Sequence, residues 1–262
     1  MKKPIVVAAA AAALWSAPAV AADISAKAPV YKAPAVVMPA AYRWSGFYVG
    51  ANLGYGWGDQ AIERSTTVVL PPGMFPTSLA SDPRGVLGGI QAGYNYQSGP
   101  AVFGVETDIA YADISRSGTF AGSFAGTNFS AAGEQKLDWF GTLRGRIGYL
   151  PSDRWLVYAT GGLAYGHGKS STSSVVNAGI GCGFFFGCGA GSASGWLAGW
   201  TAGAGLEWAF ADRWRAKAEY LYYDLGSLSY SYPDTFPGAG SYSASTNFRG
   251  NIFRLGVNYA FN

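Results

Sequence analysis

Glu106 and Asp108 stand two residues apart, and so do Arg144 and Arg146. Residues two apart share a face in an extended chain, so each pair shows two like charges to one side. A hairpin that sets 113 opposite 137 brings Glu106 across from Arg144, where cross-strand side chains touch. Across a tight turn at Asp212, Glu207 falls opposite Lys217 in the same way. Glu219, Arg215 and Arg254 lie on the same face, which makes four acids and five bases. Two kinds of chemistry fit such a set. The charges either cancel in one buried network that blocks an interior, or ring a constriction that selects solutes.

The remaining reactive side chains offer less. His167 is the only histidine, and no Ser or Asp at a recognisable spacing is aimed at it to make a nucleophilic site. Without a second His, a zinc site would need Cys or carboxylate ligands that this chain hardly supplies, so no metal or other cofactor is expected. Cys182 and Cys188 are the only cysteines, with five residues between them that include Phe184, Phe185 and Phe186. In an exported chain this spacing reads as a disulfide closing a hydrophobic knuckle, whose phenylalanines fold onto the barrel mouth or form an adhesive patch. The Cys-x-x-Cys spacing of redox and metal sites is absent. The Gly-x-Gly spacings, such as Gly203-Ala204-Gly205, fall inside strands and not before helices, so they are not phosphate loops.

The elements that hold these residues show a period of two. In the last of them Phe253, Leu255, Val257, Tyr259 and Phe261 alternate with Arg254, Gly256, Asn258 and Ala260. That pattern predicts eight strands, near 45–58, 86–97, 101–114, 135–150, 154–168, 195–210, 214–228 and 249–261. Short turns at 97–100, 151–153 and 211–213 alternate with long Gly-, Ser- and Thr-rich connections at 59–85, 115–134, 169–194 and 229–248. The expected fold is an all-β, eight-stranded antiparallel transmembrane β-barrel with short periplasmic turns and four long extracellular loops.

Composition decides which way the apolar face points. Of 262 residues only 13% are charged and 16% are aromatic, whereas a soluble domain carries about 25% charged residues. A soluble barrel would have too little polar side chain to wet its outside. The first strand places Phe47, Val49, Ala51, Leu53, Tyr55 and Trp57 on one face, with small residues on the other. Aromatics fall at strand ends and aliphatics between them, as in interfacial girdles. Trp57, Trp139, Tyr149, Trp155, Trp200, Trp208, Trp214, Tyr222, Tyr259 and Phe261 are the girdle candidates. The charged face then lines a narrow lumen, and eight strands leave room there only for side chains, which favours the plug over the constriction.

The start of the chain supplies an address. Lys2 and Lys3 precede an apolar run from Ile5 to Trp15 and the small-residue site Ala19-Val20-Ala21, which together read as a secretory signal peptide over 1–21. That run is too short to span a membrane as a helix. Residues 22–43 are Ala- and Pro-rich and read as an extended periplasmic tether, with contact to peptidoglycan the alternative. The barrel takes 44–262. Without the two leader lysines the chain carries 16 bases and 15 acids, a balance that gives no case for nucleic acid. The surroundings expected for such a barrel are outer-membrane lipid and lipopolysaccharide.

The segment Trp44-Ser45-Gly46-Phe47-Tyr48-Val49-Gly50-Ala51-Asn52-Leu53-Gly54-Tyr55-Gly56-Trp57-Gly58 resembles the entry motif of the porin-family outer-membrane immunogenic proteins. These are small surface antigens of Gram-negative bacteria, built on an opacity-type eight-stranded barrel. Ala22-Asp23, Lys27-Ala28-Pro29 and Tyr31-Lys32-Ala33-Pro34 before it are similar too, as are Gly141–Tyr149 and the closing Phe253–Phe261. The resemblance implies an abundant structural and antigenic protein of the outer membrane, without enzymatic activity, inserted by the barrel-assembly machinery. It also implies that some relatives form modest pores, adhere to host surfaces or bind ligands through their loops. One departure is Asn262, which follows Phe261 where such barrels end on an aromatic.

Overall fold

The computed structural model describes residues 42–58, 60–67, 78–124, 126–177, 188–235 and 240–261. The leader, most of the tether, Cys182 and Phe184–Phe186 lie outside the described residues. Ten strands follow in chain order: β1 Gly46–Trp57, β2 Gln60–Thr66, β3 Ser78–Ser81, β4 Arg84–Ser98, β5 Ala101–Phe124, β6 Thr127–Ser152, β7 Trp155–Asn177, β8 Cys188–Ala209, β9 Trp214–Pro233 and β10 Ser241–Ala260. Eight of them, β1 and β4 to β10, form an antiparallel ring. It closes where β1 pairs with β10, from Tyr48↔Ala260 to Trp57↔Asn251. Closure leaves no strand edge in the apolar band, where no water could satisfy one.

The outer face carries the apolar set that the alternation picked out. Phe47, Leu53, Ile90, Val105, Leu143, Ile147, Leu163 and Leu255 are all exposed. Each girdle candidate points outward as well. Trp155 stacks on Trp208 at 5.8 Å, and Trp214 meets Tyr259 edge-on at 5.1 Å. At the other end, Trp200 meets Tyr222 at 5.3 Å and Tyr111 meets Trp139 at 5.6 Å.

The long connections differ from the sequence expectation. β5 is 24 residues long and β6 is 26, whereas a membrane strand needs about 9–11. Most of 115–134, 169–194 and 229–248 is therefore strand that continues beyond the membrane, not loop. Within 59–85, β2 and β3 form a hairpin, and β2 pairs with the upper part of β10. Ser, Gly and Thr in these stretches resemble loop composition, but their alternation persists, with Ala131, Gly133 and Gln135 turned inward.

Register shifts mark the passage out of the membrane. They fall between Tyr111 and Ile114, Leu137 and Trp139, and Asn247 and Arg249. On β9 the extra residue includes Gly226, whose φ of 81° suits glycine and whose N–H donates to Asp224 Oδ1 at 2.9 Å. This is the local geometry of a bulge.

Above that level the ring divides. The β8–β9 ladder ends at Trp200↔Asp224, although both strands run on. Among the described residues no ladder joins β3 to β5 either. The extracellular part is thus two four-stranded leaves, β5–β8 and β9–β10–β2–β3, facing each other across a small apolar core of Ile62, Leu79, Ala131 and Ala244. The seams open only where water can take over the freed backbone groups.

Candidate functional site

The interior is built in layers, each set by the inward positions of the strands. At the periplasmic mouth Trp44, just before β1, is fully buried against Val102, Leu156, Tyr158 and Ala209. Its indole Nε1 donates to the Asp153 carbonyl at 3.0 Å, and its backbone N–H donates to the Gln97 side chain at 2.9 Å. The Arg215 guanidinium lies 4.6 Å from the Trp44 ring, and its Nε donates to the Tyr42 hydroxyl at 2.7 Å. Trp44 is a cork, with Arg215 stacked on it.

The charged network sits above the cork. Arg144 Nη1 meets Glu219 Oε1 at 2.9 Å, and its Nη2 meets both Glu106 Oε1 and Asp108 Oδ2. Arg254 bridges Glu219 at 2.6 Å and Asp108 at 3.0 Å. Lys217 Nζ lies 2.6 Å from Glu106 and 3.6 Å from Glu219. Arg146 Nη2 lies 2.7 Å from Glu207, and the same guanidinium sits 4.1 Å over the Tyr158 ring. Tyr48 donates to Glu106 at 2.7 Å, and Tyr158 donates to Glu219 at 2.9 Å. Beside them Asn52 donates to Gln91, which donates to Asn258 in turn.

The third layer is apolar. Leu87, Ala110, Phe140, Leu221, Tyr223, Leu225, Phe248 and Ile252 close over the charges in one cluster. Higher still, Ser170 bonds Thr246 at 2.8 Å and Thr172 bonds the Tyr230 hydroxyl at 2.9 Å.

Eight of the nine charged candidates come together as expected, and three details differ. Arg215 is buried and inward but forms no ion pair among the described residues; Tyr42 and Trp44, lower in the barrel, take its guanidinium. Without it the network holds four acids, Glu106, Asp108, Glu207 and Glu219, against four bases, Arg144, Arg146, Lys217 and Arg254. Glu207 and Lys217 are opposite in register, but their charged ends part, Glu207 to Arg146 and Lys217 to Glu106. Long side chains in a narrow tube choose partners across the lumen as readily as across the ladder. Finally, Glu106 faces Arg144 as predicted, although the bulge after Tyr111 removes the assumed pairing of 113 with 137.

Sequence reasoning missed the cork, the two tyrosines and the apolar layer. For the tyrosines and the apolar layer the signal was present in the inward half of the alternation, at Tyr48, Leu87, Phe140, Tyr158, Leu221 and Ile252; Trp44 precedes the first strand. His167 also has a neighbour that no spacing announced: its Nδ1 lies 3.5 Å from Asp138, and its ring meets Trp196 edge-on at 5.5 Å. Cys188 is disulfide-bonded. Among the described residues no group of His, Cys, Asp and Glu could hold a metal ion.

A closed antiparallel ring, apolar outside between aromatic girdles and charged within, defines an integral outer-membrane β-barrel protein. Its place is the outer membrane of a Gram-negative cell. The chain belongs to the family described as outer membrane protein beta-barrel domain, whose model matches residues 7–261. It is 35% identical over 261 residues to the 31 kDa outer-membrane immunogenic protein of Brucella melitensis biotype 1, covering 98% of this chain and 99% of that one. It is 29% identical to the 22 kDa outer membrane protein of Rhizobium leguminosarum bv. viciae, covering 87% of this chain and 82% of that one. Among solved structures it is similar to the outer membrane protein OprG of Pseudomonas aeruginosa, at a TM-score of 0.48 and 11% identity over 84% of this chain and 98% of that one.

Proposed function

We propose that this protein is a closed, non-enzymatic barrel that anchors a surface-displayed β-structure in the outer membrane. The observation that carries this reading is the filled interior: a charge-balanced network, corked below by Trp44 and covered above by an apolar layer. An ion entering from either end would have to displace packed side chains and shed water at the apolar layer. The strands that extend beyond the membrane put their mass outside the cell, and relatives at 35% identity are named immunogenic, which supports a surface-antigen role. Planar-bilayer recording of the refolded protein tests the closed lumen. Quiet bilayers are the expected result, and steady single-channel steps would replace this reading with that of a narrow porin.

A further inference from the structure

The outer wall just above the extracellular girdle has an ordered chemistry that the barrel itself does not need. Reading across the leaf, one rung joins Tyr111, Trp139, His167 and Trp196. The next rung outward joins Ser115, Lys136, Lys169 and Ser194, and the one beyond it joins Ser117, Glu134, Ser171 and Ser192. Successive rungs on one face are about 7 Å apart. Two ammonium groups therefore stand one rung above the aromatic belt, and a field of hydroxyls stands above them.

Lys136 and Lys169 are directly opposite each other, a like-charge arrangement that costs stability in a sheet. Asp138, turned outward at the bulge, lies 3.6 Å from Lys136 and 2.6 Å from Lys169. Its side chain is 13% exposed whereas that of Lys169 is 54% exposed, so at Lys169 an incoming group meets ammonium before this carboxylate; at Lys136 the Asp113 carboxylate is the more exposed of the two, 57% against 33%. Asp113, 3.4 Å from Lys136, holds that ammonium charged, above the usual lysine range. His167 lies below, beside Asp138, and Glu134 lies above. Two grooves occupy the wall here. One of about 360 Å³ runs between Lys136, Lys169, Ser171 and Ser194. The other, of about 500 Å³, continues upward past Ser117, Ser173 and Ser192.

We propose that this wall of β5–β8 docks the phosphorylated sugar headgroup of lipopolysaccharide in the surrounding outer leaflet, Lys136 and Lys169 taking a phosphate and the serine rungs taking sugar hydroxyls. The position of the surface argues for this occupant. Aromatic belts mark the headgroup level, which sets the lysine rung, one step outward of the belt, beside the outer-leaflet phosphates and the hydroxyl field on the side towards the sugars. Each lysine has three donors, which leaves some for phosphate after Asp113 and Asp138 are served. The rim carboxylates of Asp113 and Glu134 suit the divalent cations that accompany such phosphates. The surface is independent of whether the lumen conducts.

Binding of deep-rough lipopolysaccharide to the detergent-solubilised full chain with Mg²⁺ present tests the proposal, with phosphatidylglycerol and lipid A, which lacks the core sugars, as comparison probes. The wild type is expected to prefer deep-rough lipopolysaccharide to phosphatidylglycerol by at least about tenfold. K136Q/K169Q should lose about tenfold in affinity, and K136R/K169R should retain it, because each charged phosphate contact adds a comparable increment. S171V/S192V, on the outermost rung, should weaken binding of the probe that carries core sugars and leave lipid A unchanged. R213Q, at the periplasmic end, should change nothing. The proposal is overturned by a K136Q/K169Q affinity within twofold of wild type, an equal loss from R213Q, equal binding of phosphatidylglycerol, or no effect of the serine pair.

Discussion

Replacing Arg144 with Met is expected to cost about 3–5 kcal/mol of stability, the range for removing one partner of a buried ion pair. Arg144 reaches three carboxylates, Glu106, Asp108 and Glu219. Its loss leaves four buried acids facing three bases, with the surplus negative charge sealed between the cork and the apolar layer. The measurement is the urea midpoint of refolded protein in lipid, followed by the gel-mobility difference between folded and unfolded barrel. The double variant R144M/E219Q keeps the network neutral and should recover part of the loss, since touching residues do not add. If R144M alone matched the wild type, the network would not be a cooperative unit.

The second large effect is expected from Trp44→Ala. Truncating a buried Trp costs about 3–5 kcal/mol, and here it also takes the ring from beneath the Arg215 guanidinium. Trp44→Phe should keep most of the packing while losing the indole bond to Asp153. The layered interior makes a sharper prediction about transport. With the cork gone, water reaches the charges from the periplasmic side, yet the apolar layer of Leu87, Phe140, Leu221 and Ile252 still stands above them. Trp44→Ala should therefore remain silent in planar bilayers. Steady conductance from this variant would mean that the cork alone closes the lumen.

How much of this was legible beforehand depended on what each signal measures. Period-two alternation fixes which face a residue takes, so the outward aromatics and the inward charges could be assigned strand by strand. It does not fix how far a strand runs. Ser- and Gly-rich segments such as 127–134 and 169–177 look like loops by composition, although their alternation continues for another half-strand. Nor does facing register name a partner: Glu207 and Lys217 oppose each other in the ladder and pair elsewhere, because long side chains from opposite walls of an eight-stranded lumen meet in its middle. Trp44 was unreadable for a different reason. It precedes the first strand, where alternation has not begun, and only ring closure brings Arg215 of β9 against it. The His167–Asp138 contact is likewise a product of the bulge after Leu137, which no local rule located.

The division of the ring into two leaves above the outer girdle has an evolutionary consequence. Within the membrane every strand is locked to two neighbours, so an inserted residue would shift register around the whole circle. Above Trp200 and Asp224 that constraint lapses at the seam. The leaves still meet there, through the Thr235 N–H bond to the Cys188 carbonyl and the Ser170–Thr246 and Thr172–Tyr230 contacts, but a change of strand length above the seam leaves the lipid-embedded ladder in register. A molecule divided in this way can vary the residues it exposes above the membrane while the ring within the membrane stays the same.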